Sequence, residues 1–424
     1  MKASSQLLAQ ASASSMRPET ELLLCCARTA IAPAQAEQIK TLLREDLNWQ
    51  YLIQAAHAQG VLPLLYRSLH ANYHKAIPKT ILDQLQRRFH ANAFHNLFLA
   101  DELLKICKLF EAEGIPVIPF KGPTLAALAY DDLSLRQFTD LDILIDKKDL
   151  LKAKELLISQ RYQLKLSEAQ EAAHLHSLYH FHFVRTDGRV IVELHWALTG
   201  KHWPFPFDFE RLQARLISVL CGGATILSFP PEDLLLFLCV HGSRHQWERL
   251  TWICDVAELV RAHQQIDWQG LLEQAEMSGA KRMLLLGLFL ANGLLGADLP
   301  EDVLQSTRDD LKVKLLAGQV QARLFAHATG LPQLADRSAF RTHAFLVKVR
   351  ERLQDKIQYF VHYPFRLHTA NLQYLFNTAR VDKTDRMPLF LPPFLSSFYR
   401  QRLRPIQQVV QYVLRRVKAL LKAP

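Results

Sequence analysis

The chain has 424 residues, 49% hydrophobic and 22% charged. That is ordinary globular composition, with material for two or three packed units and nothing of a collagen, a low-complexity chain or a disulfide scaffold. The formal net charge of +10 is unevenly placed: eight basic residues and no acidic one lie between Arg386 and the end, so the basic character belongs to the tail and not to the body.

In chain order, residues 1–18 read as a polar leader without the continuous apolar run of a secretory signal. Residues 19–112 read as an N-terminal helical region, with apolar positions at helical spacing in ELLLCCARTA, WQYLIQAAHAQGVLPLLYRSL and LDQLQRRFHANAFHNLFLADELLKICKLFEAEG. Residues 113–200 change texture. IPVIPF is short, β-branched and bounded by Gly114 and Lys121-Gly122, which predicts a strand. Pro123 to Tyr130 reads as a helix with proline in its first turn. LDILI is a second strand, and KKDLLKAKELLISQRY an amphipathic helix. YHFHFVRT and RVIVELHW flank Asp187-Gly188, a strong hairpin signal.

Residues 201–330 read as mainly helical again. Pro231-Glu232-Asp233 makes a helix start, and a break is expected near Gly242-Ser243. Residues 331–424 read as a helical extension that is rich in Pro and Phe over 387–398 and ends in a basic amphipathic tail. The longest apolar stretch, from Met283, is interrupted at Asn292 and Gly293. Spanning a bilayer takes ~20 residues, so no transmembrane segment is expected. Cys25, Cys26, Cys107, Cys221, Cys239 and Cys254 form no C-x-x-C pair, and most sit in apolar runs. The expectation is free thiols in a reducing compartment and a soluble, cytoplasmic protein. The fold class is α+β: a small mixed sheet flanked by N-terminal and C-terminal helical regions.

Asp140 and Asp142 are two residues apart in TDLDILI. On a strand they share a face, while Leu141, Ile143 and Ile145 point into the core. Two carboxylates so close repel unless a cation neutralises them, and Mg²⁺, which prefers carboxylate and phosphate oxygens, is the natural candidate. Lys121-Gly122 precedes a helix start at Pro123-Thr124, where a glycine lets the backbone approach a phosphate and a helix N-terminus attracts anions. A two-residue hairpin loop places His182 opposite Glu193 and His180 opposite His195, all on one face, with Phe181, Phe183, Val192 and Leu194 on the other. Glu193 can therefore complete a three-carboxylate cation site. The histidines could instead hold zinc, although His-rich polar faces are more often simply solvated.

The run FKGPTLAALAYDDLSLRQFTDLDILI resembles the active-site segment of the DNA polymerase β-like nucleotidyltransferase superfamily. It is most similar to a group of bacterial proteins known only as nucleotidyltransferase family proteins, and also to toxin-type members. VIVELHWAL resembles that group's third-carboxylate strand, and PPEDLLLFLCVHGSRHQWERLTWICDVAELV its following helical segment. The resemblance covers roughly residues 20–300. It implies a nucleotidyltransferase core at 113–200 in which Asp140, Asp142 and Glu193 hold Mg²⁺ for transfer of a nucleoside monophosphate from an NTP such as ATP. The acceptor is a protein side chain, a tRNA end or a small molecule. The resemblance implies phosphate-facing roles for Lys121, Gly122, Thr124 and Arg136. Where the wider superfamily has Gly-Ser, this chain has Lys-Gly. Asp142→Asn is expected to abolish Mg²⁺-dependent NTP binding while leaving the fold intact or slightly more stable.

Three features fall outside that core. His241 and His245, at helical i, i+4 spacing, share a face and are expected at the cleft rim with His182 and His195. With Asp255 they could form the metal site of a hydrolase, an alternative to transfer. A non-catalytic nucleotide-binding module on the same fold is a further alternative, which the three intact acids argue against. Trp196, Trp203, Trp247 and Trp252 are expected to pack helices onto the sheet. In the tail, Val409, Val410, Val413, Leu414, Val417, Leu420 and Leu421 give one apolar face opposite Arg415, Arg416 and Lys418. It is expected to dock on the body, the alternatives being an anionic membrane surface or nucleic acid.

Overall fold

A computed structural model describes residues 16–164, 179–200, 208–325 and 339–359, together with positions 166, 171, 175 and 203. Most of the polar leader, the Pro- and Phe-rich stretch 387–398 and the basic tail lie outside the described residues. The chain divides into two units, 1–351 and 352–424, and the sheets and helices given below belong to the first.

The N-terminal helices are α1 (Pro18–Cys26), α2 (Pro33–Leu42), α3 (Trp49–Ala58), α4 (Leu62–Tyr73) and the 34-residue α5 (Lys79–Ala112). Proline opens α1, α2 and α4, where its missing N–H costs no hydrogen bond. Asn48 caps α3 by accepting from the Tyr51 N–H.

The sheet region follows as β1 (Val117–Pro119), α6 (Pro123–Tyr130), β2 (Leu141–Ile145), α7 (Leu150–Ser159), β3 (Tyr162–Leu164), β4 (His180–Arg185) and β5 (Ile191–His195). The spatial order is β1-β2-β5-β4-β3. β2 and β5 run parallel and the other neighbours antiparallel, so the sheet is mixed. The turn at Asp187-Gly188, with Gly188 at φ 72°, sets the hairpin register at His180 opposite His195 and His182 opposite Glu193.

Period-two alternation divides the sheet between two cores. Leu141, Ile143, Ile145, Phe181, Phe183, Val192 and Leu194 pack with Leu103, Phe110 and Leu157 of α5 and α7. Ile118, Phe120 and Leu144 join the helical core instead. That core is built by the N-terminal helices together with α9 (Pro231–Arg244), α10 (Leu250–Ala262), α11 (Trp268–Ser278), α12 (Lys281–Leu295), α13 (Glu301–Asp309), α14 (Leu311–Phe325) and α15 (Ala339–Lys348). Phe120 stacks on Phe229 at 5.2 Å and meets Phe237 of α9 edge-on. The sheet face carrying Asp142 and Leu144 thus looks toward α9 and α10.

One element was missed and one expectation is corrected. Residues 201–330 are mainly but not wholly helical: after the short α8 (Phe209–Gln213), β6 (Ile217–Cys221) and β7 (Ala224–Ser228) form a separate hairpin. Gly222 and Gly223, at φ 59° and 85°, make its turn, and Val219, Cys221, Ile226 and Ser228 point inward in strict alternation. Nor is α9 broken at Gly242-Ser243; it runs on to Arg244. The glycine serves packing instead. The chain doubles back through Gln246 and Trp247, both in the left-handed region, and drives the Trp247 ring against α9, where a Cβ on Gly242 would lie 2.5 Å from it.

All six cysteines are buried and free. Trp196 lies edge-on to Phe181, 4.9 Å away, and Trp196, Trp203 and Trp247 are buried, while Trp252 is only half-buried. No described helix is long and apolar enough to cross a membrane.

Because Trp247 is fully buried and fills the space at Gly242, Gly242→Ala is expected to cost roughly 1–3 kcal/mol by overpacking. Chemical denaturation reads this directly; an unchanged midpoint would mean that the Trp247 contact is not tight.

Candidate functional site

β2 is buried at every position, yet its second residue is an aspartate. Asp142 is 2% exposed. The parallel register sets it opposite Glu193 on β5, and both side chains leave the same sheet face as Leu144 and His195. Asp140, half-buried just before β2, belongs to that face by alternation.

A cluster of that charge cannot stay buried without a counter-ion, and Lys121 supplies it. Its Nζ lies 2.6 Å from Asp142 Oδ1, with the lysine side chain 14% exposed. The loop that delivers it needs the next residue to be glycine. Gly122 has φ 55° and ψ −127°, a conformation closed to side chains with a Cβ, and a Cβ there would press to 3.1 Å on the Asp140 carbonyl oxygen. The Phe120 N–H donates to the Asp142 carbonyl at 3.3 Å. Lysine, glycine and aspartates are therefore laid against each other by backbone contacts.

His195, 3% exposed, stands on the other side. Its Nε2 is 3.3 Å from Asp142 Oδ1 and 3.3 Å from Glu193 Oε2. The His180 ring stacks on it, centroids 4.9 Å apart. This face is not the solvated histidine surface expected. Among the described residues, His180, Glu193 and His195 form a group whose donor atoms lie within 4.8 Å of one another. His182 is not in it.

The charges sort themselves by neighbour. Burial, and then Asp142, push Asp140 up to about 6. Burial also opposes the charge on Asp142, but Lys121 and His195 outweigh it and hold that carboxyl below the usual range. Burial likewise opposes ionisation of Glu193, but His195 and His180 bring it down to about 2. His195 is raised because Asp142 and Glu193 outweigh its burial. His180 is pushed down to about 3 by burial and by His195.

The other sequence-derived residues stand further back. Thr124 is fully buried, a packed position and not an open one. Arg136 donates from Nε to Asp255 Oδ1 at 2.8 Å and from Nη2 to Asp255 Oδ2 at 3.0 Å, and Tyr130 donates its hydroxyl to the same Oδ1 at 2.8 Å. The guanidinium expected to face a phosphate instead ties the segment before Asp140 to α10. Both Asp255 oxygens are thereby engaged, and among the described residues His241, His245 and Asp255 do not form a group close enough to hold a metal. His241 and His245 do share a face, ring centroids 4.6 Å apart, with Trp252 beside both. Reading the sequence missed Asn96 and Asn92 of α5, which hold the segment from its other side. Asn96 Nδ2 donates to the Leu133 and Arg136 carbonyls at 2.6 and 2.7 Å, and Asn92 Nδ2 to Ser134 at 2.9 Å. Two asparagines at i, i+4 on one helix face were the available signal.

Residues 45–296 match the family described as uncharacterised nucleotidyltransferase, a span that includes every residue of the site. The chain belongs to that family. No curated protein matches it. Among solved structures it is similar to an antigenic nucleotidyltransferase-like protein from Paracoccidioides brasiliensis, with 16% identity over 50% of this chain and 96% of the other, at a TM-score of 0.27; so loose a superposition adds nothing to the fold described above.

The two aspartates should respond oppositely to loss of charge, and the Lys121 pairing replaces the expectation that Asp142→Asn leaves stability unharmed. Asp142→Asn leaves Lys121 buried without its closest partner and is expected to cost the metal-free protein about 2 kcal/mol or more at neutral pH. Asp140→Asn relieves repulsion and should stabilise by roughly 1–2 kcal/mol. The folded pKa of Asp140, about 6, lies above that of the unfolded chain. Ionising it therefore erodes stability as pH rises from about 4 to about 6. The advantage of Asp140→Asn should be small near the bottom of that window and level off above it. Equal melting shifts for the two variants at every pH would refute this assignment of charges.

Proposed function

We propose that this sheet end is a Mg²⁺-dependent nucleotidyl-transfer site, which moves a nucleoside monophosphate from an NTP, such as ATP, to an acceptor hydroxyl. The observation that carries the reading is the pairing of Asp142 with Glu193 across parallel strands, with Asp140 two residues earlier, in a chain of nucleotidyltransferase family. The donor set fits the ion: carboxylate oxygens are what Mg²⁺ takes, and it shares its remaining positions with water and phosphate. A buried ammonium already occupies the electrostatic role of a cation there.

Asp140, Asp142 and Glu193 would hold the ion. Bound there, Mg²⁺ supplies charge neutralisation for the triphosphate and a lowered pKa for the acceptor hydroxyl. Lys121 moves its charge from Asp142 to the phosphates as the nucleotide arrives, so the carboxylates are neutralised both before and after binding. Gly122 keeps the loop backbone clear of side chain where the triphosphate must pass. The acceptor hydroxyl gives up its proton to solvent, its oxygen bonds to the α-phosphorus as the bond from that phosphorus to the oxygen bridging the β-phosphate breaks, and pyrophosphate leaves. Arg136, Tyr130, Asn92 and Asn96 touch none of the reacting atoms; they fix the segment that aims Asp140. The acceptor is a protein side chain, a tRNA end or a small molecule.

The test is transfer of label. Protein incubated with α-labelled NTPs, Mg²⁺ and cell extract should yield a labelled product that disappears with chelator and with Asp142→Asn, a loss on the order of 10³-fold for removal of a metal-holding carboxylate. Labelling that survives both would defeat the reading.

A further inference from the structure

The histidines beside Glu193 have no part in the chemistry above. His180 and His195 are cross-strand partners whose rings stack at 28° between planes. Glu193 lies between them: its Oε1 is 4.0 Å from His180 Nε2 and its Oε2 is 3.3 Å from His195 Nε2. One donor atom from each falls within 4.8 Å of the other two. His180 and Glu193 are only about a fifth to a quarter exposed, and His195 is buried.

Their hydrogen bonding is incomplete. Nδ1 of each ring is buried without a hydrogen-bond partner, and Nε2 of His195 meets Asp142 and Glu193 as ionic contacts at 3.3 Å without hydrogen-bond geometry. Buried polar atoms are almost always paired, so His195 Nε2, held 3.3 Å from two carboxylates without a hydrogen bond, points to a ligand between them. The ligand has to accept imidazole nitrogen and carboxylate oxygen together at short range, which describes a divalent cation. Two nitrogens and one carboxylate suit a zinc-class ion, whereas Mg²⁺ prefers oxygen throughout.

We propose that His180, His195 and Glu193 form a second cation site, selective for a zinc-class transition metal, next to the oxygen-only position at Asp140 and Asp142. Nε2 of each histidine, the ring atom nearest Glu193, supplies the nitrogen ligands. Three protein ligands leave at least one coordination position open, as in catalytic and not structural zinc sites. The site shares Glu193 with the transfer reading but stands on the histidines, and it holds whether or not the protein transfers nucleotides.

The experiment uses tag-free, chelator-stripped full-length protein without nucleotide. Co²⁺ titration followed by visible absorption should saturate at one ion per chain and be reversed by Zn²⁺ but not by excess Mg²⁺. His180→Ala and His195→Ala should each weaken binding by about tenfold or more, in line with the loss of a ligand or its support. Pulsed electron paramagnetic resonance of one equivalent of Cu²⁺ bound to the unmutated protein should show coupling to imidazole nitrogen, a readout that requires no variant to fold. Absence of Co²⁺ binding, absence of nitrogen coupling, or unchanged affinity in both variants would overturn the proposal. Mg²⁺-NTP binding measured separately on the same protein distinguishes the two readings, because its failure leaves the nucleotide-free Co²⁺ result untouched.

Discussion

Three carboxylates crowd one end of a nearly dry sheet face, and that repulsion is the constraint around which the rest is arranged. Charges buried together must be paired or neutralised. Lys121 does this from one side of Asp142 and His195 from the other. The cluster therefore folds as a set of alternating charges. It is also poised: an ammonium on a flexible stem is easily exchanged for another cation.

Placing Lys121 requires a turn that only glycine makes easily, and Gly122 in turn packs on the Asp140 carbonyl. The segment from Asp132 to Arg136 is a single 3-10 turn, Leu133–Leu135, capped by Asp132, and side chains from both flanking layers hold it in place. Asn92 and Asn96 reach it from α5. Asp255 of α10 reaches it through Arg136 and Tyr130. The two helical regions thus act as clamps on one loop, which explains why the small sheet is embedded in so much helix.

How much of this could be read from the residues depends on the range of the interaction. The strand LDILI, the helix from Pro123 to Tyr130 and the register of the β4–β5 hairpin are set by neighbours a few residues apart, and period-two alternation alone aligns Asp140 with Asp142 and His182 with Glu193. Longer-range partners leave no such pattern. Arg136 and Asp255 are separated by 119 positions, so an arginine beside two aspartates read as a phosphate ligand when its partner lies on α10. Lys121 likewise read as a phosphate group, with no sign that it neutralises Asp142. The glycine at 242 looked like a helix break because local propensity could not register Trp247 folding back onto it. The β6–β7 hairpin did carry a signal, Gly222-Gly223 between ISVLC and ATILS, but it was lost in the helical texture around it.

The central claim is that Lys121 holds a place that a metal–nucleotide complex takes over. The most direct measurement is a crystal of the full chain soaked with Mn²⁺ and a non-hydrolysable NTP analogue, located by anomalous scattering. The account predicts manganese density among Asp140, Asp142 and Glu193, a triphosphate over the Lys121-Gly122 turn, and Lys121 Nζ turned from Asp142 toward the phosphates. Nucleotide bound elsewhere, with Lys121 still resting on Asp142, would contradict it.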